Sequence, residues 1–283
     1  MKRKLIPWLI GVSAVGALAC AFIWYSSASY STANQEDSAP DSSTINLGGD
    51  ITIIFVWVPP GEFVMGDDRY ADEAPSHRVR ITKGFWLGRC EVTNAQFRRF
   101  CPDHDSGMYG GRDLDGDDQP VVMVNWYEAN AFCEWLGEEA EGSFRLPTEA
   151  EWEYACRAGT QSRFSFGDTP DRMGEYAWYD QNSKHTSHPV GQKKENAWGL
   201  HDMHGNVFEW CADWAAKGYS TRNPSRDPKG PDAGEKRVLR GGGWAHFPEQ
   251  CTVSSRFWAE PQFRQVFYGF RVVFESEIRM TRE

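Results

Sequence analysis

The sequence predicts a single loop-rich α+β domain that follows an N-terminal membrane segment. The chain of 283 residues contains 13 Trp, 17 Phe, 10 Tyr and 27 Gly, which describes a core of large rings joined by many turns. That composition favours short strands and helices over a helical bundle. We find no tandem repeat and no second linker. The formal net charge of −10 argues against a nucleic-acid partner, because phosphates would be repelled.

Residues 1–25 are predicted to anchor the chain in the cytoplasmic membrane. Lys2, Arg3 and Lys4 precede an uncharged run over residues 5–25, and about 20 apolar residues suffice for one crossing. The basic flank should stay in the cytoplasm, which places the rest of the chain outside it, in the cell envelope. A cleaved signal peptide is the alternative, because residues 17–19 resemble a cleavage site. Cleavage there would leave Cys20 first, as in a bacterial lipoprotein, and each interpretation exports the domain.

Residues 26–48 are predicted to be a flexible tether, and residues 49–276 are predicted to be the folded domain. The tether is rich in Ser, Thr, Asp and Pro and has almost no apolar content. Runs of β-branched and aromatic residues then predict strands. These runs are residues 51–58, 62–66, 77–82, 85–91, 238–244 and 268–274.

Capping and periodic patterns predict three helices. Thr93 and Thr148 stand as N-caps, each with a Gln or Glu three residues on that completes a capping box. Residues 126–137 place their apolar side chains at helical spacing. Residues 103–119 form an acidic loop that partly resembles a calcium loop, but its Gly is misplaced and no Glu closes it, so a solvated loop is the preferred interpretation.

Residues 199–214 form the first candidate site. Asp202 and Glu209 are hard oxygen donors, and Gly205 and Asn206 let the backbone turn between them. Clusters of oxygen ligands suit Ca²⁺ better than zinc or copper. The alternative is an aromatic-anchored turn with two solvated acids, and spacing alone does not decide between the two.

Six motifs occur in order along the chain, at residues 58–66, 91–94, 145–154, 199–210, 237–244 and 269–272. Together they closely resemble the formylglycine-generating enzyme (sulfatase-modifying factor) family, over residues 57–274. The resemblance implies an irregular, loop-rich C-type-lectin-like α+β fold. It also implies a structural Ca²⁺ bound by the side chains of Asp202 and Glu209 and the carbonyls of Gly205 and Val207. Asp202 replaces the Asn of the best-known members, and a carboxylate still suits a hard cation.

Enzymes of the family oxidise a cysteine of a sulfatase peptide with a copper ion held by two thiolates. Both cysteines closely follow a Gly-rich turn, but here Cys251 alone follows residues 241–244. Counting forward from the turn, His246 takes the first catalytic position and Cys251 the second. Counting back from Arg256, Cys251 falls instead beside a structural cysteine. A copper site at His246 and Cys251 remains an alternative because imidazole and thiolate both bind copper. A histidine in a surface loop, however, more often binds no metal.

The resemblance implies a disulfide for Cys156, which matches a family cysteine that pairs with the C-terminal segment. An oxidising compartment would permit a Cys156–Cys251 bridge, which we favour over a free reactive thiol. The bridge would close a loop of about 95 residues and contribute about 4 kcal/mol in the chain-entropy model.

Residues 245–267 form the last candidate site, and in family members this stretch lines a surface pocket. Five aromatic side chains lie there beside Arg256 and Arg264, and exposed rings beside Arg suit contact surfaces. At least half of these rings are expected to be core. We predict a binding or accessory module for a peptide, protein or glycan ligand. The alternative is an oxidoreductase that converts a peptidyl cysteine to formylglycine, or performs a related oxidation at a modified metal site.

Overall fold

The computed structural model describes residues 42–219 and 225–275, which form two main sheets, two small hairpins and four α-helices. The strands are β1 Ser42–Asn46, β2 Thr52–Val58, β3 Gly61–Met65, β4 His77–Ile81, β5 Phe85–Gly88, β6 Met108–Tyr109, β7 Arg112–Asp113, β8 Ser143–Arg145, β9 Phe208–Trp214, β10 Arg237–Arg240, β11 Arg256–Ala259, β12 Tyr268–Gly269 and β13 Val273–Glu275. The helices are α1 Asn94–Phe100, α2 Trp126–Glu139, α3 Glu149–Arg157 and α4 Met173–Tyr176.

The larger sheet has five antiparallel strands in the order β1-β2-β5-β13-β8. The first and last described strands therefore join the same sheet. The prediction that the tether extends to residue 48 is wrong, because β1 pairs along its whole length with β2, from Ser42 opposite Val56 to Asn46 opposite Thr52. Its polar sequence fits a partly exposed edge strand, which explains why composition alone resembled a linker.

The smaller sheet has the order β11-β10-β9-β12, with β9 and β12 parallel and the other pairs antiparallel. The strand predicted over residues 238–244 ends at Arg240, because Gly241 and Gly242 turn with φ of +96° and +77°. The strand predicted over residues 268–274 is divided, since β12 and β13 belong to different sheets. The sequence did not predict β11.

The three longer helices begin where side chains cap them. The capping boxes predicted at Thr93 and Thr148 are confirmed, and Asn125 forms a third with Glu128. The apolar face of α2, predicted over residues 126–137, is buried in the larger of the two main core clusters. Capping therefore fixes the helix starts locally, and burial of one face holds each helix on the sheets.

The acidic loop over residues 103–119 contains a small hairpin, β6–β7. Arg98 of α1 donates to Asp115 at 2.9 Å and also pairs with Asp117. These two carboxylates therefore have a protein cation as their partner.

The predicted membrane anchor, residues 1–25, lies outside the described residues. Across residues 42–219 and 225–275, no helix is long and apolar enough to cross a membrane.

Candidate functional site

The loop that leads into β9 carries the candidate calcium ligands. It turns through left-handed backbone at Asp202, Gly205 and Asn206, with φ of 58°, 91° and 57°. A Cβ on Gly205 would lie 2.2 Å from the carbonyl oxygen of Trp178, so the close approach of these two segments requires glycine. After this turn the chain runs through the interior, and residues 202–211 are all buried.

Glu209 is fully buried in β9 and forms a two-pronged ion pair with Arg271. Arg271 Nε and Nη2 donate to the two carboxylate oxygens at 2.6 and 2.7 Å, and the indole N–H of Trp152 donates at 2.8 Å. Arg271 is itself fully buried and also donates to the carbonyl oxygen of Gly88. Both oxygens of Glu209 thus already have donors.

Asp202 and Glu91 are two further buried carboxylates beside this pair. Asp202 Oδ2 accepts from the Gly191 N–H at 2.7 Å, while Oδ1 is buried and has no partner among the described residues. Glu91 accepts from the Asn206 amide at 2.8 Å and from the Val207 N–H at 3.1 Å. Burial, followed by the neighbouring Asp202 charge, raises the pKa of Glu91 well above its ordinary value, and burial also raises the pKa of Asp202.

This acid cluster, defined as Glu91, Asp202, Glu209 and Arg271, fits a bound cation in part. With all three acids ionised, as a bound cation would favour, three carboxylates and one guanidinium would leave excess negative charge, and the unpartnered Asp202 Oδ1 is a hard donor. Against this, Arg271 and Trp152 already engage Glu209. No group of three or more His, Cys, Asp or Glu side chains in the described part of the chain is arranged to hold a metal. Ligation by the carbonyls of Gly205 and Val207 stays a prediction.

Cys251 and His246 lie in different environments. Cys251 is fully buried against Phe164, Met173 and Ala177, and burial raises the pKa of its thiol far above the ordinary value. His246 is half-buried and packs its ring against Phe208, with ring centroids 4.7 Å apart. No hydrogen bond joins these two side chains. Both side chains lie beside the same turn, since a Cβ on Gly242 would lie 2.4 Å from Cys251 Sγ and one on Gly243 would lie 3.3 Å from His246 Nδ1, but only His246 is partly exposed.

The favoured Cys156–Cys251 disulfide is not formed in the structure, where both residues are free thiols. The imidazole of His204 lies between them. Its Nδ1 is 2.8 Å from the Cys251 carbonyl oxygen, and its Nε2 is 2.9 Å from Ser165 Oγ and 3.8 Å from Cys156 Sγ. Burial lowers the pKa of His204 to about 4, so the ring is neutral, donates from Nδ1 and accepts at Nε2. The hydrogen-bonded imidazole of His204 therefore occupies the place where the Cys156–Cys251 disulfide was predicted.

The aromatic side chains of residues 245–267 are more exposed than the sequence suggested. None of the five is buried: Phe247, Phe257 and Phe263 are exposed, and Trp258 and Phe267 are half-buried. The expectation that at least half would be core is wrong. The small sheet turns this stretch outward, because β11 is its edge strand.

These rings belong to an aromatic cluster, which we call the aromatic face and define as Tyr109, Trp244, His246, Phe257 and Phe267. Trp244 is its buried base, and Phe257 joins it through the buried ring of Phe208. Tyr109 packs on Trp244 at 5.2 Å, Trp244 on Phe267 at 6.2 Å and Phe267 on His246 at 5.1 Å, measured between ring centroids. Tyr109 comes from hairpin β6–β7, which sequence reasoning treated only as a solvated loop. In the sequence, the available signal for this residue was an aromatic side chain directly before two glycines, at residues 109–111.

The arrangement defines an irregular α+β domain whose long loops carry both candidate sites. Residues 52–276 match the family model described as a sulfatase-modifying factor enzyme 1-like domain. A formylglycine-generating enzyme of Streptomyces coelicolor is 32% identical over 288 residues, which cover 79% of this chain and 90% of that protein. The chain belongs to the formylglycine-generating-enzyme (sulfatase-modifying factor) family, as its motifs predicted.

Two further relatives show the range of the family. The serine/threonine-protein kinase pkn1 of Chlamydia caviae is 32% identical over 240 residues, which cover 76% of this chain but only 37% of that kinase. The solved structure of Treponema denticola variable protein 1 superposes with a TM-score of 0.76 at 30% identity and covers 83% of this chain and 99% of that one. The same domain thus occurs in proteins with different names and lengths.

Proposed function

We propose that the protein is a membrane-tethered, extracytoplasmic binding or accessory module of this family, stabilised by Ca²⁺. The observation that carries the proposal is the fully buried Cys251 thiol, which is enclosed in an apolar cluster with Phe164, Met173 and Ala177. A binding role requires an accessible contact surface and no thiolate pair. The aromatic face provides that surface, with Phe257 and Tyr109 exposed by 42% and 48%.

Copper held by two thiolates does not fit the residues at this position. Soft sulfur ligands select Cu(I), and one thiolate must exchange with the substrate cysteine. Cys251 is enclosed and its thiol stays protonated, since burial raises the thiol pKa. The His246 ring packs against the rings of Phe208 and Phe267. This pair therefore does not provide the exchangeable thiolate that the oxidation requires.

The relationship to the Streptomyces coelicolor enzyme makes oxidation of a peptidyl cysteine the second candidate. The two candidates differ in the behaviour of Cys251. Alkylation of the native full chain, followed by peptide mapping, should leave Cys251 unmodified, while alkylation after unfolding without reductant should modify it. A sulfatase-derived cysteine peptide should stay unoxidised with or without added copper.

Rapid native alkylation of Cys251 together with copper-dependent conversion of that peptide would replace the binding module by the oxidoreductase. Binding of a peptide or glycan that is lost in Phe257→Ala and retained in Tyr127→Ala would support the module. Tyr127 is a suitable control because it is also an exposed aromatic residue, on helix α2, but lies outside the aromatic face.

The tether is part of the same proposal and rests on the basic residues 2–4 and the uncharged run after them. Membrane fractions should retain the full chain after high-salt washing. External protease should remove the domain from spheroplasts. Recovery of the whole protein from the culture medium would instead support a cleaved leader.

A further inference from the structure

Strand β11 has a free edge. It is the outermost strand of the small sheet, and its four residues pair only with β10. Within residues 42–219 and 225–275, no backbone group of Arg256–Ala259 bonds a segment other than β10. The N–H and C=O groups on its outer side therefore have no backbone partner among the described residues, and the accessible part of the edge is Phe257 and Trp258.

The two central side chains of β11 lie on opposite faces of the sheet, because strand side chains alternate. Phe257 stacks on Phe208, with centroids 5.3 Å apart, and extends the aromatic face to the edge. Trp258 lines a groove of about 480 Å³ on the other face, whose floor includes Ala71, Ala215 and Ala216. Each face beside the free edge thus offers an apolar contact.

The groove is held in place by a buried ion pair. Arg256 donates to both carboxylate oxygens of Glu149 at 2.6 and 2.8 Å. The same guanidinium donates to the carbonyl oxygens of Asp72 and Ala216, at 2.8 and 3.3 Å, and both of these residues line the groove. A wall geometry fixed before binding reduces the ordering cost of binding.

We propose that β11 binds an extended peptide segment of a partner protein, which adds as a fifth strand to the small sheet. The inference rests on the proposed function and names its ligand class. An open row of backbone donors and acceptors is complementary to another backbone, and alternate side chains of an added strand reach opposite faces. Apolar side chains at alternate positions would contact Phe257 on one face and Trp258 on the other.

Charged side chains of both signs line the groove. Asp72 and Glu235 supply negative charge, and Lys217 and Lys236 supply positive charge. Both signs suit a peptide that carries polar or charged residues on either side of a short apolar stretch. The four residues of β11 match a pairing stretch of about four to five residues.

The test uses the full-length chain and a library of linear heptapeptides, from which a binder with alternating apolar residues is selected and synthesised. Single backbone N-methyl groups are then placed along this peptide. Because only every second N–H of an added strand points at its neighbour, alternate N-methylations should weaken binding by about tenfold or more, and the intervening ones by less than about threefold.

Variants of the protein test the same contacts from the side of β11. Phe257→Lys and Trp258→Lys should each weaken the heptapeptide by about tenfold, whereas Tyr127→Lys should leave its affinity unchanged. Circular dichroism of each variant checks folding. The N-methyl series leaves the protein untouched, so it tests the pairing even where a variant misfolds.

Several outcomes would overturn the inference while the binding module survives. These are heptapeptide binding that is insensitive to the position of the N-methyl group, and glycan binding at the aromatic face without any heptapeptide binder. Self-association in analytical ultracentrifugation that is lost in Trp258→Lys would assign the edge to a second copy of the chain. Failure of the proposed function is recognised separately, by copper-dependent peptide oxidation and native reactivity of Cys251.

Discussion

Arg271 is the residue on which the buried acid cluster depends most directly. It faces three carboxylates, those of Glu91, Asp202 and Glu209, and neutralises one of them through two short hydrogen bonds. Arg271→Met would leave Glu209 buried without its cation, and removal of one partner of a buried pair costs about 3–5 kcal/mol. We expect a decrease of that size in the free energy of unfolding, measured by urea denaturation.

Arg264→Met is the matched control for this prediction. Arg264 pairs with Glu128 at 2.6 Å, but 44% of the Arg264 side chain and 38% of the Glu128 side chain are exposed. Exposed pairs contribute about 0–1 kcal/mol. Equal losses in the two variants would mean that burial does not govern the strength of these pairs, and the charge balance assigned to the acid cluster would be wrong.

Asp213 should make stability depend on pH. It is buried beside Glu149, and burial, followed by the Glu149 charge, raises its pKa from 3.8 to about 8. Between these values the folded chain keeps a proton that the unfolded chain has lost, so folding binds a proton. The contribution of Asp213 to stability is therefore present below pH 4 and falls as pH rises toward 8, by at most about 1.4 kcal/mol per pH unit.

Asp213→Asn removes this titration and retains an oxygen that accepts from the Glu149 N–H, as Asp213 Oδ2 does at 2.8 Å. We expect the free energy of unfolding of the variant to decline less steeply between about pH 5 and pH 8 than that of the unmodified chain. Asp232→Asn, at an exposed carboxyl, is the control and should not alter the slope. Parallel slopes for all three proteins would contradict a protonated Asp213.

At the scale of elements, the start of α3 gives a prediction based on local geometry. Thr148 Oγ1 accepts from the Glu151 N–H at 3.1 Å, and Glu151 returns a bond to the Thr148 N–H at 2.9 Å. Thr148→Ala should lower the free energy of unfolding by about 1 kcal/mol. Thr169→Ala, at a 3-10 turn where the side chain makes no cap, should change it by less than about 0.5 kcal/mol in thermal unfolding.

The elements that could be predicted are those whose signal is local. Thr93 and Thr148 carry complete capping boxes within four residues, and β2 combines β-branched and aromatic residues in one run. Strands β1 and β11 were missed because their pairing partners, not their composition, make them strands. Polar Ser42–Asn46 resembles a linker until β2 lies beside it.

The residues of the candidate sites also fall into two groups, those that a local motif identifies and those that only the fold brings together. Asp202 and Glu209 could be selected from sequence because the family motif contains them. Arg271, which is 62 residues from Glu209 in sequence, could not be paired with it without the fold. Nor could the sequence show that His204 separates Cys156 from Cys251. Long-range contacts decide which side chains are neutralised and which are left available.

At the scale of the whole molecule, the two main sheets meet around buried charge, so a bound cation should act on global stability. The acid cluster joins β9 of the small sheet to residue Glu91, which follows β5 of the large sheet. A cation that binds Asp202 Oδ1 and adjacent carbonyls in the folded chain alone would stabilise both sheets together. Stabilisation by mass action reaches about 2.7 kcal/mol at a ligand concentration 100-fold above Kd.

We therefore expect EGTA to lower the melting temperature of the full chain and Ca²⁺ to restore it, with Mg²⁺ less effective because it requires stricter octahedral geometry. Asp202→Asn keeps one oxygen donor and tolerates the left-handed backbone at φ 58°, so it should shift the Ca²⁺ midpoint to higher concentration without unfolding the chain. Asp168→Asn, at an exposed acid elsewhere, should leave the midpoint unchanged. Identical melting curves in EGTA and Ca²⁺ would mean that Arg271 alone balances the cluster and that this member of the family folds without the metal.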